Sequence, residues 1–197
     1  SFDVASYNEF MQVYQYIKHF EKQQKKYFVW DKIIFSNTIK DRHTLSKIKQ
    51  YKPLVTYDNI DEVKKLKEYC DTAGLVVRVK VPDTGSQVEM STKFGVEPGE
   101  AAALIDYAFE MGLKVEGISF HVGSQCTNFD NYTQALAIAS DIFRETRKKG
   151  YGLNLLDIGG GFPVPYDPQV PEFAKLASLL NSEFKRLFPE DIEILAE

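Results

Sequence analysis

Leu155-Leu156-Asp157-Ile158-Gly159-Gly160-Gly161-Phe162-Pro163 is the stretch whose reading organises the rest of the chain. The apolar run from Leu153 to Ile158 has the length and bounding of a buried strand, and it breaks straight into glycine. Without Cβ atoms, the backbone at residues 159–161 can come within hydrogen-bonding distance of a ligand. Successive N–H groups in such a turn can form a concavity for an anion, most often phosphate. The plain alternative is a structural turn after a strand. A second stretch, Gly117-Ile-Ser-Phe-His-Val-Gly-Ser-Gln-Cys126, repeats the form: a strand that ends in small and polar residues. Two strands ending in ligand-ready groups suggest one site at one end of one sheet.

Outward from these two strands, further strand-like runs lie at 2–5, 33–36, 54–57, 75–81 and 192–196, with the first two refined to 115–121 and 153–158. Helical patterns fill the intervals at 7–26, 41–49, 59–72, 98–111, 130–149 and 172–187. In 59–72, Ile60, Val63, Leu66 and Cys70 form an apolar face. Asn59 suits the N-cap with Glu62 three positions on, and Gly74 follows the end. Pro98 suits a first helical turn, and 130–149 stops at Gly150. Phe173, Leu176, Leu180, Phe184 and Leu187 share one side of 172–187. The segment 7–26 reads as a single helix, more polar towards its end. Strand–helix alternation repeated about seven times predicts parallel strands joined by right-handed crossovers. It favours most of an α/β (β/α)8 TIM-type barrel over a doubly wound sheet. In a barrel the site lies at the C-terminal strand ends, where His121, Ser124 and Gly159, Gly160 and Gly161 fall, and phosphate often binds near the later strands. The irregular stretch 82–97 carries Thr84-Gly85-Ser86 and Lys93-Phe94-Gly95; loops of that length are often functional or mobile.

The chain's 197 residues fit one domain with a sizeable core. At 44% hydrophobic and 26% charged residues, the composition is that of a soluble globular domain. The net charge of −4 and the dispersed basic residues do not favour nucleic acid. The lysines at 22–26 and 64–67 read as solvated helix faces. No apolar run reaches the roughly 18 residues of a membrane span, and no secretory segment is visible. Cys70 and Cys126 lie far apart, Cys70 on an apolar helix face as a core residue, which points to a reducing, cytoplasmic setting. The chain opens with a strand already in progress and ends in a strand with nothing after it, so it reads as a piece of something longer.

Single residues add detail. His121 stands at a strand end beside Gly123-Ser124, as a functional group or a satisfied polar one. His19 and His43 read as surface residues. Asp3, Arg78 and Glu197 are charges within or beside apolar strands. A buried charge is costly unless paired, so each is an inward, paired residue or an outward one near an edge.

Five segments stand in order across essentially the whole chain: Phe2-Asp-Val-Ala-Ser6, Lys93-Phe-Gly95, Ser119-Phe-His-Val-Gly-Ser124, Leu156-Asp-Ile-Gly-Gly-Gly-Phe-Pro163 and Ala196-Glu197. Together they resemble the fold-type III (alanine racemase-like) pyridoxal-phosphate decarboxylases acting on ornithine, arginine, lysine and diaminopimelate, and most the ornithine decarboxylase branch. The resemblance implies pyridoxal 5′-phosphate as cofactor and no metal. It implies His121 stacked on the pyridine ring, and Ser124 with the backbone of Gly159, Gly160 and Gly161 on the phosphate. Glu197 would face the pyridine nitrogen, Asp3 and Glu9 would lie near the cofactor-bearing lysine, Arg78 near the same ring, and Lys93 on a loop at a dimer-shared site. Residues 1–197 would then be part of the cofactor-binding barrel domain, with the lysine's strand and a C-terminal β-domain outside this chain. The implied activity is decarboxylation of a small basic amino acid to a polyamine precursor by a cytoplasmic homodimer, with no nucleic-acid or membrane partner. The piece alone is expected to be inactive. The Pro-Gly-Arg that follows the family's Glu is missing, and residues 7–31 are longer than in the animal enzymes. An inactive regulator of the antizyme-inhibitor kind, or another enzyme on this barrel such as diaminopimelate decarboxylase or a racemase, are the alternatives.

Overall fold

Short apolar strands alternate with helices along the chain, and the strands pair in sequence order. The computed structural model describes residues 1–166, 168, 170–188 and 192–197. The order is β1 (Phe2–Asp3), α1 (Tyr7–Tyr16), α2 (Lys22–Lys32), β2 (Ile33–Phe35), α3 (Arg42–Ile48), a 3-10 turn (Lys49–Tyr51), β3 (Leu54–Tyr57), α4 (Ile60–Tyr69), β4 (Gly74–Arg78), α5 (Pro98–Glu110), β5 (Lys114–Ser119), α6 (Phe129–Lys148), β6 (Leu155–Asp157), α7 (Phe173–Leu187) and β7 (Glu193–Leu195). Every pairing is parallel, in the order β1 to β7. The sheet curls into an incomplete barrel. Its two ends meet where the Ser1 hydroxyl reaches the Ala196 carbonyl at 3.4 Å.

Period-two alternation divides each strand between two environments. Ile33, Phe35, Val55, Tyr57, Leu75, Val77, Ile118 and Leu156 face the helices and join the main core. The opposite faces turn into the barrel, where Ile34, Leu54, Val76 and Leu155 form a small apolar cluster with Trp30 and Leu195. One step further towards the C-terminal ends the inward row changes character: Arg78, Ser119 and Asp157 stand in register across β4, β5 and β6. This polar row sets the floor of the site.

Several expectations change. Residues 7–26 form two helices rather than one. Lys18 and Phe20 bond back to Gln15 and Ile17, and Glu21 restarts the chain with a capping box to Gln24. Glu62 is not part of a reciprocal cap: Asn59 does accept the Glu62 N–H at 2.8 Å. The Glu62 carboxylate instead turns inward to the fully buried Lys40 ammonium at 3.1 Å and to Lys65 at 2.5 Å. Gly74 opens β4 instead of ending α4. Ile60 and Phe173, expected on apolar faces, are about half exposed at 49% and 55%; each is the first residue of its helix. Cys70 is buried as expected, and both cysteines are free.

Candidate active site

The polar floor is continued by three segments that follow β5, β6 and β7. After β6, Gly159 and Gly161 adopt φ of +64° and +82°, a region that only glycine enters without strain. The turn is also sterically committed. A Cβ at Gly159 would overlap the Phe120 carbonyl, and one at Gly161 would overlap the Gly123 carbonyl. Gly161 is tied down further by the Cys126 N–H, which donates to its carbonyl at 2.9 Å. Next to it Phe162 stacks on the buried Tyr132 at 5.8 Å. Among the described residues, neither the Gly160 nor the Gly161 N–H donates to a partner within the chain, so the turn presents two free donors. Replacement of Gly161 by Ala is expected to cost about 2–3 kcal/mol of stability, from the forced backbone and the clash. Replacement of Gly160, whose added Cβ would lie 3.3 Å from the Glu197 carbonyl oxygen, is expected to cost about 1 kcal/mol or less. Urea unfolding of both variants checks the contrast; equal costs would show that the turn is not held rigid.

His121 follows β5 and lies along this turn. Added Cβ atoms at Gly159, Gly160 and Gly161 would meet its Cδ2 at 3.1 Å, Nε2 at 3.5 Å and Cε1 at 3.3 Å in turn. The ring is oriented by the Gly123 N–H, which donates to Nδ1 at 3.0 Å. Nδ1 is therefore the acceptor, and the proton of the neutral ring sits on Nε2. Burial, and then the charge of Arg78, hold the imidazole below its ordinary pKa of 6.5. In the sign convention of linkage, the folded state binds fewer protons here than the unfolded chain just below that value, so this group's stabilising contribution is lost as pH falls through the folded pKa. In an NMR titration His121 is expected to change charge below 6.5 and to show the Nε2–H tautomer at neutral pH. Titration above 6.5 would mean the Gly123 contact does not hold the ring.

Glu197 follows β7, and its N–H donates to the Gly159 carbonyl at 2.9 Å, which brings it beside Gly160. Its carboxyl pKa is pushed up to about 8 by burial first, then by Asp157 and Asp3. Asp3 lies on β1, in register with the inward Ile34. Arg78, half-buried at the end of β4, donates to the Ser36 carbonyl at 3.4 Å and packs on the Phe94 ring at 5.2 Å. His121, the glycine turn, Glu197, Asp3 and Arg78 thus converge at one end of the sheet. Ser124 is half-buried at the rim, its N–H donating to Val88 at 3.0 Å. Glu9 is placed differently: its carboxylate accepts the Ala5 and Ser6 N–H groups at 2.6 and 3.1 Å and caps α1. Lys93 is exposed on the 82–97 segment. That segment is shaped by Asp83, which accepts from the Met90 and Ser91 N–H groups at 2.6 and 2.7 Å, and by Asp58, which accepts from Gly95 at 3.0 Å.

Two residues of the site escaped sequence reasoning. Asp157 lies inside the glycine stretch itself and is fully buried; a charge closing an apolar strand was the available signal. Phe94 was visible only as part of the Lys93-Phe94-Gly95 segment, and its contact with Arg78 is long-range.

Residues 1–197 match the family described as the pyridoxal-binding domain of pyridoxal-dependent decarboxylases. A probable ornithine decarboxylase of Dictyostelium discoideum is 34% identical over 167 residues, 84% of this chain and 36% of that protein. Antizyme inhibitor 2 of Xenopus laevis is 35% identical over 173 residues, 85% of this chain and 37% of its own length. The crystal structure of the Paramecium bursaria Chlorella virus arginine decarboxylase bound to agmatine superposes with a TM-score of 0.87 at 29% identity, over 100% of this chain and 50% of that one. The chain therefore spans little more than a third of the curated relatives it matches.

Proposed function

The chain belongs to the pyridoxal-dependent decarboxylase family as its pyridoxal-binding domain, and on that premise we propose that the whole protein decarboxylates a basic L-amino acid of the ornithine, arginine or lysine type. The observation that carries this reading is the convergence of the glycine turn, His121 and Glu197 at one end of the parallel sheet. The residues fit the cofactor on structural grounds. Two undonated N–H groups and a turn with no room for a Cβ at Gly159 or Gly161 suit its phosphate, with Ser124 at the rim. The planar His121 imidazole and the high-pKa carboxyl of Glu197 suit its ring and ring nitrogen. When bound, the cofactor would supply an electron sink for the pair left by the departing carboxylate. The protein's part would be to hold that ring: His121 would support its face, Glu197 would keep the nitrogen protonated, and Arg78 with Asp3 would balance charge at the floor.

Residues 1–197 act as part of the barrel domain, with the cofactor-bearing lysine and a C-terminal β-domain supplied by the rest of the protein. Borohydride reduction of the isolated piece with pyridoxal phosphate is then expected to trap no specific lysine. The exposed Lys93, on a loop over the strand ends, supports a site shared in a homodimer. The free, buried cysteines support a reducing, cytoplasmic compartment. Among the described residues no helix is long and apolar enough to cross a membrane.

The test is release of labelled carbon dioxide from L-ornithine, L-arginine, L-lysine and diaminopimelate by the full-length protein loaded with pyridoxal phosphate. Turnover of one of the first three is expected; turnover of diaminopimelate alone would move the protein to that branch. The similarity to antizyme inhibitor 2 favours one second reading, an inactive regulator. A folded protein without cofactor absorbance and without turnover would establish it.

A further inference from the structure

Asp157 closes β6 at the centre of the polar floor, and none of the roles above uses it. It is fully buried. Its Oδ1 accepts the Gly159 N–H at 2.9 Å, while its Oδ2 is buried and accepts from no donor among the described residues. Strand β7 runs alongside, with the Ile158 N–H on the Leu195 carbonyl at 3.0 Å and the Glu197 N–H on the Gly159 carbonyl at 2.9 Å. Alternation along β7 puts Glu197 on the inward side with Leu195, which makes its carboxyl a neighbour of Asp157 and its unsatisfied Oδ2. An ionised carboxylate only accepts hydrogen bonds. Glu197 can satisfy the buried Oδ2 of Asp157 only if one of the two carboxyls carries a proton.

We propose that Asp157 and Glu197 hold one proton between them at neutral pH, and that Asp157 is the positioning residue that keeps Glu197 and this proton where the cofactor's ring nitrogen would sit. The cofactor clause rests on the function proposed above; the shared proton does not.

The local charge count agrees. The groups facing the pair are Asp3 from β1 and Arg78 from β4, with Asp58 near Arg78 and His121 neutral beside the glycine turn. Three carboxyls, Asp3, Asp157 and Glu197, face one cation. Burial and then Asp3 push Asp157 upward, burial and then Asp157 and Asp3 push Glu197 upward, and Arg78 pulls both back in part. Uptake of one proton relieves the excess. A protonated ring nitrogen arriving at Glu197 would relieve it in the same way, so the pair suits a cationic heteroaromatic N–H. The folded pair keeps a proton that the unfolded chain releases near its ordinary value of 4.5, so this pair's contribution to stability falls as pH rises from there to about 8.

Infrared spectroscopy of the full-length protein stripped of cofactor reads the pair directly. A protonated-carboxyl C=O band is expected at pH 7, absent at pH 10, and lost at pH 7 in both Asp157→Asn and Glu197→Gln. Asp157→Asn keeps the acceptor for Gly159 and the side-chain shape, so folding is expected to survive, and Glu197→Gln is the independent control. No such band at pH 7, or a band that survives in Asp157→Asn, overturns the shared proton. The second arm loads wild type and Asp157→Asn with 15N-labelled pyridoxal phosphate and titrates the ring nitrogen by NMR. The Asn amide donates permanently to Glu197 and lowers its basicity, so the nitrogen is expected to lose its proton at least about one pH unit lower, a tenfold shift in the equilibrium. An unchanged titration overturns the positioning role. A persistent infrared band in a protein that takes up no pyridoxal phosphate would leave the pair standing and overturn the cofactor clause together with the proposed function.

Discussion

Glu197→Ala in the full-length, cofactor-loaded protein is expected to lower kcat roughly a hundredfold. The proposed chemistry needs a ring nitrogen that stays protonated while the electron pair of the scissile bond moves towards it. A carboxylate within hydrogen-bond reach favours the protonated form, because an opposite charge a few ångströms away raises the nitrogen's pKa. The register of β7 puts Glu197 beside the fully buried Asp157, and once a bound cofactor covered it such an interaction would be stronger than in water. If it supplies about 3 kcal/mol to the transition state, its removal costs about two powers of ten in rate. The loss falls mainly on kcat, since the demand for an electron sink arises in the transition state and much less in the ground state. Steady-state kinetics with the cofactor content measured alongside decide the matter. Near wild-type kcat with the cofactor in place would make Glu197 a structural strand end.

Much of this site was legible because a parallel barrel converts local pattern into position. An apolar run fixes a strand, the polar residue that ends the run marks its C-terminal end, and the fold brings those ends together. His121, residues 159–161 and Glu197 could be placed that way without knowing any contact. What could not be read depends on partners distant in sequence. Glu62 carries the local signature of a capping acid, yet its carboxylate is claimed by Lys40 from the segment after β2. Glu9 reads as a site acid by resemblance, yet its carboxylate is spent on its own helix start. The break between α1 and α2 has no proline or glycine to announce it; only the Glu21–Gln24 pair, a weaker form of the usual capping signature, was available. The segment 82–97 owes its shape to Asp83 and Asp58, and a single acid gives no sign of the N–H groups it will collect.

The other large effect lies away from the site. Lys40→Ala is expected to destabilise the protein by about 3–5 kcal/mol, the range for removing one partner of a buried ion pair, against a total stability of roughly 5–15 kcal/mol for a typical domain. The Lys40 ammonium is fully buried. It donates to the carbonyls of Thr56 at 2.5 Å, Asn37 at 3.0 Å and Thr38 at 3.3 Å, and pairs with Glu62 at 3.1 Å. These contacts fasten the chain leaving β2 to β3 and to α4. Truncation strips three carbonyls of their donor, opens a cavity, and leaves the buried Glu62 with Lys65 as its remaining cation. Burial pushes the Lys40 pKa down to about 8 against the pull of Glu62. The unfolded chain therefore binds more protons than the folded one between about 8 and the ordinary 10.5, so stability from this group rises with pH across that window. Urea unfolding of the full-length protein at pH 7 and at pH 9.5 tests both parts: the midpoint falls sharply in Lys40→Ala, and the wild-type gain between the two pH values is reduced in the variant. Lys40→Met combined with Glu62→Leu removes both charges and is expected to recover much of the loss, because two apolar side chains leave no unpaired charge behind. A cost below about 1 kcal/mol for Lys40→Ala would show that Lys65 and penetrating water can replace the buried ammonium, and that the β2–β3 connection is held by packing instead.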